Sequence, residues 1–352
     1  MNLALAKAAL IVALPFAVEA QPTLIRLSKP VFVSSGEFTS VTSAVRLGSG
    51  NIAIADAADR SLWLVDGVSG KAQAIGRVGD GPAEYRNPQF VLPFKAGFLL
   101  VDGWLQRVSE YDANASFVRS TPFPRGLVGS SIDMTRSIDA AGNLYFVAPA
   151  LGAQPRLLPA YSWRYPDGEV KAIDFVGALR GPKFASVASD AKEGGRAPGV
   201  VRRVPYSEWD AFLGLSDGTV FVARSETRTV EWFDRGGRKM RTAAFPGMAV
   251  SIPDSVKRAV RPVGLQQALD VVYPPFDGEL SVRSVADRVW LRAIPDVRDS
   301  SEWYGFGKTG APSQLLRLPR SMRIVAVAEP YMIVVRRDES ELKRLELYRI
   351  PN

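Results

Sequence analysis

Residues 75–101 read IGRVGDGPAEYRNPQFVLPFKAGFLLV. Ile75 ends an apolar run, Gly79-Asp80-Gly81-Pro82 forms a turn, and Asn87-Pro88 closes a short polar segment before two further apolar runs. Glycine accepts positive φ and proline presets φ near a turn value, so their clusters mark reversals between short β-rich runs. Read this way, the stretch carries the chain from the outermost strand of one small sheet to the inner strands of the next.

Working outward, residues 51–56 (NIAIAD), 61–66 (SLWLVD) and 71–75 (KAQAI) have the same strand-and-turn character, that of an antiparallel meander. The first of these recurs at 97–102 (GFLLVD), 143–148 (NLYFVA), 219–224 (TVFVAR), 288–293 (RVWLRA) and 331–336 (YMIVVR). The copies end 46, 46, 76, 69 and 43 residues apart. Three intervals match the roughly 40–50 residues of a four-stranded blade, and the two long ones imply insertions. Third strands are expected at 106–111, 161–165, 228–233, 302–306 and 342–348, and fourth strands at 116–120, 170–175 and 239–245. The final set ends at Asn352 with three strands, whereas the run 23–33, with a break at Pro30, belongs to no set. Supplying the missing outer strand from 23–33 would close a ring and cover its open edges. The prediction is an all-β domain over 21–352: a six-bladed β-propeller of four-stranded antiparallel blades, closed by its N-terminal strand.

Gly79-Asp80-Gly81-Pro82-Ala83-Glu84-Tyr85, then Asn87-Pro88, then an apolar run ending at Asp102 with Arg107 beyond it, resembles bacterial secreted six-bladed propellers related to NHL-repeat and TolB-like proteins. Ala83 replaces a glycine and Tyr85 a phenylalanine of that pattern, and the resemblance is sharp over about 40–112. It implies a fold; propellers host many unrelated activities.

Residues 1–20 (MNLALAKAALIVALPFAVEA) hold one cation, Lys7, an apolar run from Ala8 to Val18 and a small-residue end at Ala20. This predicts a secretory signal peptide cleaved after Ala20. The run is short of the roughly 20 residues of a bilayer span, and Pro15 interrupts it. With 47% apolar and 23% charged residues in 352, the rest has the composition of a folded chain with a sizeable core. There is no cysteine, hence no disulfide, thiolate chemistry or lipid attachment site, which suits a periplasmic or extracellular bacterial protein. The net charge of +8 survives cleavage, because Lys7 and Glu19 leave together. A basic surface attracts anionic partners; for an exported chain, nucleic acid is the least expected of them.

Two insertions break the blade rhythm, at about 177–206 and 246–278. The first is rich in Gly, Ala and basic residues and lacks strand periodicity, which predicts a long loop. Within the second, Val256, Val260, Leu265 and Leu269 have helical spacing, with Asp254 as N-cap and Pro262 dividing two short turns. Both join a fourth strand to the next first strand, so they share a face with the loops joining second to third strands, including 151–158 and 295–301. Inserted material on one face of a closed scaffold is where binding usually resides; covering the channel mouth is the other role it can have.

The chain contains no histidine. That excludes a Ser-His-Asp triad, a Cys-His dyad and a zinc site built from His or Cys. A sialidase-like site is allowed by composition, but its Ser-x-Asp-x-Gly-x-x-Trp box is absent, and no phosphate-binding G-x-x-x-x-G-K-S/T loop occurs. A lactonase-like hydrolase needs carboxylates around a hard cation such as Ca²⁺. Its candidate ligands are Asp56, Asp80, Glu84 and Asp102. Their plainer reading is structural: Asp56 and Asp102 bond turn amides and pair with Arg60 and Arg107, and Glu84 pins its own loop. For binding, Arg180, Lys183, Arg196, Arg202 and Arg203 make a candidate basic patch, with Trp104, Tyr273 and Trp303 as aromatic contacts and Arg86 as a further candidate. The preferred reading is an exported non-catalytic scaffold without a cofactor, binding a protein or an anionic glycan on the loop-rich face. The alternative is the calcium-dependent hydrolase.

Overall fold

Each sequence copy becomes one sheet. The computed structural model describes residues 21–351 apart from 125–136, 148–156, 182, 188–199, 248, 261–264, 267–268, 271–273, 277–282, 286–287, 295–299 and 308–309. The expected signal segment and two candidates, Arg196 and Tyr273, lie outside the described residues. Blade 1 comprises Val41–Arg46, Ile52–Asp56, Ser61–Val65 and Ala72–Ile75; blade 2 comprises Pro88–Phe94, Gly97–Asp102, Arg107–Tyr111 and Phe117–Pro122. Blade 3 is Ser137–Ile138, Asn143–Val147, Ala160–Arg164 and Val170–Ala172, and blade 4 is Ala211–Gly214, Val220–Arg224, Thr229–Phe233 and Lys239–Ala244. Blade 5 is Arg283–Val285, Arg288–Arg292, Ser300–Phe306 and Pro312–Pro319. Blade 6 is Met322–Ala328, Tyr331–Arg337 and Lys343–Arg349, completed by Phe32–Val33. The protein is a six-bladed β-propeller.

The blade order explains the sequence pattern. Ile52–Asp56 and Gly97–Asp102 are buried at every residue, because a second strand has a neighbouring blade against each face. An outermost strand such as Lys239–Ala244 is largely exposed. The core is accordingly divided into wedges, with one apolar cluster between each pair of neighbouring blades. Between blades 1 and 2, for example, Ala53, Leu62 and Leu64 meet Val91, Phe98 and Leu100.

Ring closure differs from the expectation in one respect. The run 23–33 is two strands, because the chain breaks at Pro30, which has no N–H for a ladder. Phe32–Val33 pairs antiparallel with Leu347 and Glu346 and completes blade 6 as expected. Val31 N donates to the Leu347 carbonyl (2.6 Å) and Ser34 N to that of Leu345 (2.8 Å). Thr23–Ile25 instead runs parallel to Gln314–Leu316 and adds a fifth strand to blade 5.

The insertions also carry more structure than their composition suggests. Residues 177–206 are not simply a loop: Leu179–Arg180 pairs with Leu157–Leu158, and Phe184–Val187 pairs antiparallel with Val200–Arg203. In the second insertion the helix is Asp254–Ala259, and Pro253, not Asp254, occupies the N-cap without a side-chain cap bond. Asp254 lies in the first turn, where its charge suits the positive end of the peptide dipoles. The two insertions pack together: Val204 and Leu265 form a small cluster with Ala185, Val260 and Leu269, and Lys183 Nζ lies 3.2 Å from Asp270 Oδ1. No helix among the described residues is long and apolar enough to cross a membrane.

Candidate functional site

The crossing from blade 1 to blade 2 is the best-defined part of the insertion-bearing face. Gly76 (φ +67°) starts it, and a Cβ there would lie 2.8 Å from the Tyr85 ring, so a side chain is excluded by both conformation and space. Arg77–Val78 then runs parallel to Glu84–Tyr85. Glu84 pins this loop as expected: Oε2 accepts from Gly81 N (2.6 Å) and Oε1 from Arg77 Nε (2.5 Å). Those two bonds hold its carboxyl below the usual range, the Gly81 amide contributing most. The Tyr85 hydroxyl accepts from Leu62 N (3.1 Å) and donates to the Ile75 carbonyl (3.0 Å).

Asp102 ties the crossing to the next turn. One oxygen accepts from Arg86 N (2.7 Å) and Asn87 N (3.2 Å), the other from Trp104 N and Leu105 N (both 3.0 Å). Asp56 does the same in blade 1, accepting from Thr39 N (2.6 Å) and Ser40 N (2.8 Å). Both carboxylates are buried. The amide bonds match the structural reading of these residues; the arginine pairs do not form. Arg107 turns instead to the carbonyls of Asp80 (3.1 Å), Gly81 (2.6 Å) and Glu84 (2.7 Å). Arg60 lies over the Trp104 ring at 4.4 Å. With the carboxylates occupied by N–H donors, each guanidinium takes the acceptor or ring nearest to it.

Beside this crossing lies a small surface site. Trp104 is 56% exposed. Beside it Arg86 pairs with Asp80 through Nε (2.5 Å) and Nη2 (2.7 Å), and Gly103 and Leu105 complete the rim of a shallow pocket. Arg60 was foreseen only as a partner of Asp56. The available signal was its place in the second-to-third-strand turn, beside the crossing from blade 1 to blade 2.

The candidate basic patch is different from its sequence reading. Arg180 bridges Glu208 and Glu226, and Lys183 meets Asp270. Arg180, Lys183, Glu208 and Asp270 border a cavity of about 280 Å³ with Leu157 and Gly181. The acids come from distant parts of the chain, so local composition could not show that the cations are matched. Arg203 lies over the Trp209 ring at 4.6 Å, and the Arg202 backbone is opposite Ala185 in the hairpin. Trp303 is not a surface aromatic at all. It is fully buried between blades 5 and 6, with its indole N–H on Ser301 Oγ at 3.3 Å, because the third strand of blade 5 begins at Ser300 and carries it inward.

The carboxylates nominated for a metal do not gather. Asp56 and Asp102 accept from main-chain amides, Asp80 and Glu84 pair with arginines, and no group of three or more Asp, Glu, His or Cys suited to a cation occurs among the described residues.

No family model matches the chain, and no curated protein matches it. Several solved structures share the fold. A candidate exported protein from Bacteroides fragilis is 12% identical, with 93% of this chain and 95% of that one covered at a TM-score of 0.52. A member of the DUF4221 family from Bacteroides vulgatus is 9% identical, with 93% and 98% covered and a TM-score of 0.52. Regucalcin from Agrobacterium tumefaciens, a calcium-binding protein, is 12% identical, with 94% and 97% covered and a TM-score of 0.50. At these identities the likeness is one of fold.

Proposed function

We propose that the chain is an exported, non-catalytic binding scaffold that holds a partner protein on the face bearing its crossing loops and insertions. The observation that carries this reading is the exposed Trp104, backed by Arg60 at 4.4 Å and edged by the Asp80–Arg86 pair. Trp and Arg are the side chains that most often supply interface energy, and an exposed indole offers a large apolar area for burial. The platform is rigid, since Asp102 holds the main chain of Arg86 and Trp104 together; less ordering is then needed on binding.

The pairing of Arg180 and Lys183 with acids favours a protein over an anionic glycan, which would have to displace those partners. Export is supported by the character of residues 1–20 and the lack of cysteine, and a candidate exported protein shares the fold. The calcium-dependent hydrolase has less support, although a calcium-binding protein shares the fold. Asp56 and Asp102 would have to release their backbone amides before they could coordinate a cation.

Photo-crosslinking in the producing cells tests the reading. A benzophenone amino acid at Leu105 should give a discrete adduct with one other protein, and the same probe at Val68, on the opposite face, should not. Adding Trp104→Ala should remove most of the adduct. Equal adducts from both positions, no adduct, or adducts only with glycan would overturn it.

A further inference from the structure

The channel at the centre of the ring is lined by side chains that include a cation and hydroxyls but no carboxylate among the described residues. It encloses about 160 Å³ and is bordered by inner strands of five blades. Much of its wall is aliphatic, including Leu92, Ile138, Leu213 and Val327, and no Asp or Glu is among the described residues that line it. Ser43 Oγ accepts from Val91 N (2.7 Å) and Ser137 Oγ accepts from Gly214 N (2.9 Å). Neither hydroxyl hydrogen meets an acceptor among the described residues. Arg46, the last residue of the inner strand of blade 1, also lines the cavity. Its Nε is buried with no hydrogen-bond partner, and its guanidinium lies over the Tyr331 ring at 4.7 Å. No carboxylate or carbonyl engages it among the described residues.

The Nε groups of Arg107 and Arg336 are likewise buried without a hydrogen-bond partner, but the ends of those guanidinium groups are engaged: Arg107 takes three main-chain carbonyls, and Arg336 reaches the Tyr348 hydroxyl (3.0 Å) beside Glu346. A buried donor without an acceptor costs free energy; Arg46 has one at Nε, while the residue as a whole is half-buried. An incoming carboxylate would supply acceptors and the opposite charge together, in a shape that matches the guanidinium fork. The aliphatic walls would then cover the remainder of the molecule.

We infer that the central channel is a binding site for a small organic monocarboxylate, its carboxylate on Arg46 and its apolar body against the inner-strand side chains. An apolar cavity of about 150 Å³ accommodates benzene, so the ligand is of about benzoate size. This site is separate from the Trp104 surface and does not depend on the scaffold reading.

Isothermal titration of the purified protein with sodium benzoate and with benzamide tests it. Benzoate should bind saturably and at least tenfold more tightly than the neutral amide, and Arg46→Met should weaken benzoate at least tenfold while leaving benzamide unchanged. Equal affinity for the two probes would overturn the proposal, as would undiminished benzoate binding by Arg46→Met or no saturable benzoate binding. If the variant does not fold, the comparison of benzoate with benzamide on the unaltered protein decides alone.

Discussion

At the residue scale, Asp102 holds four main-chain N–H groups from two segments, Arg86-Asn87 and Trp104-Leu105. Asp102→Ala would leave those donors without their acceptor in a buried place. The expected loss is on the order of 3 kcal/mol of stability, read from the urea midpoint, with Asp102→Asn keeping part of it. A midpoint within about 0.5 kcal/mol of the unaltered protein would show that the carboxylate is dispensable. The amide-binding role of Asp56 and Asp102 was legible because a strand ending in Asp before a turn has few other options. Their arginine partners were not, since spacing along the chain does not reveal which acceptors are already occupied. Trp303 was misplaced for a related reason. Its strand begins at Ser300, so a residue assigned near a loop is deep in an interface.

At the element scale, the two N-terminal strands serve different blades, and graded truncation separates their roles. Removing residues 21–27 takes the parallel strand from blade 5, where Ile25 packs with Trp290 and Trp303. Removing residues 21–34 also takes Phe32, a residue of the wedge between blades 6 and 1, and uncovers the edge of Lys343–Arg349. The shorter truncation should lower the melting temperature modestly. The longer one should lose about 2–3 kcal/mol more from Phe32 burial alone and scatter light on warming. Equal melting temperatures and equal scattering would mean that Phe32–Val33 does not seal the ring. Second strands were legible to within a residue or two, because both their faces are buried and they read as continuous apolar runs. The hairpin Phe184–Val187 with Val200–Arg203 was not. Its short halves are parted by a Gly- and Ala-rich segment, and it lies outside the blade rhythm.

At the scale of the whole molecule, buried phenols distributed around the ring set its behaviour in alkali. Burial pushes Tyr111 in blade 2 and Tyr304 in blade 5 up to about 12, and raises Tyr145 in blade 3 further, with Asp139 adding to it. The unfolded chain ionises its tyrosines near pH 10. Between about pH 10 and 12 the unfolded state therefore binds fewer protons than the folded one, and stability falls as pH rises through that window. Tyrosinate absorbance should appear together with loss of near-ultraviolet circular dichroism, above pH 10. Full ionisation near pH 10 with the dichroism intact would contradict the burial of these phenols.

The closure by Phe32–Val33 has a temporal side. Ser34 and Leu345 share a hydrogen bond although 311 residues separate them. Lengthening a loop adds little to the equilibrium cost of joining its ends, whereas distant pairings slow the approach to the native state. The ribosome makes the sealing strand ahead of all six blades and its partner only with the last of them. While the blades are made the early strand must wait unpaired, and blade 6 acquires its fourth strand only after the other five blades have emerged.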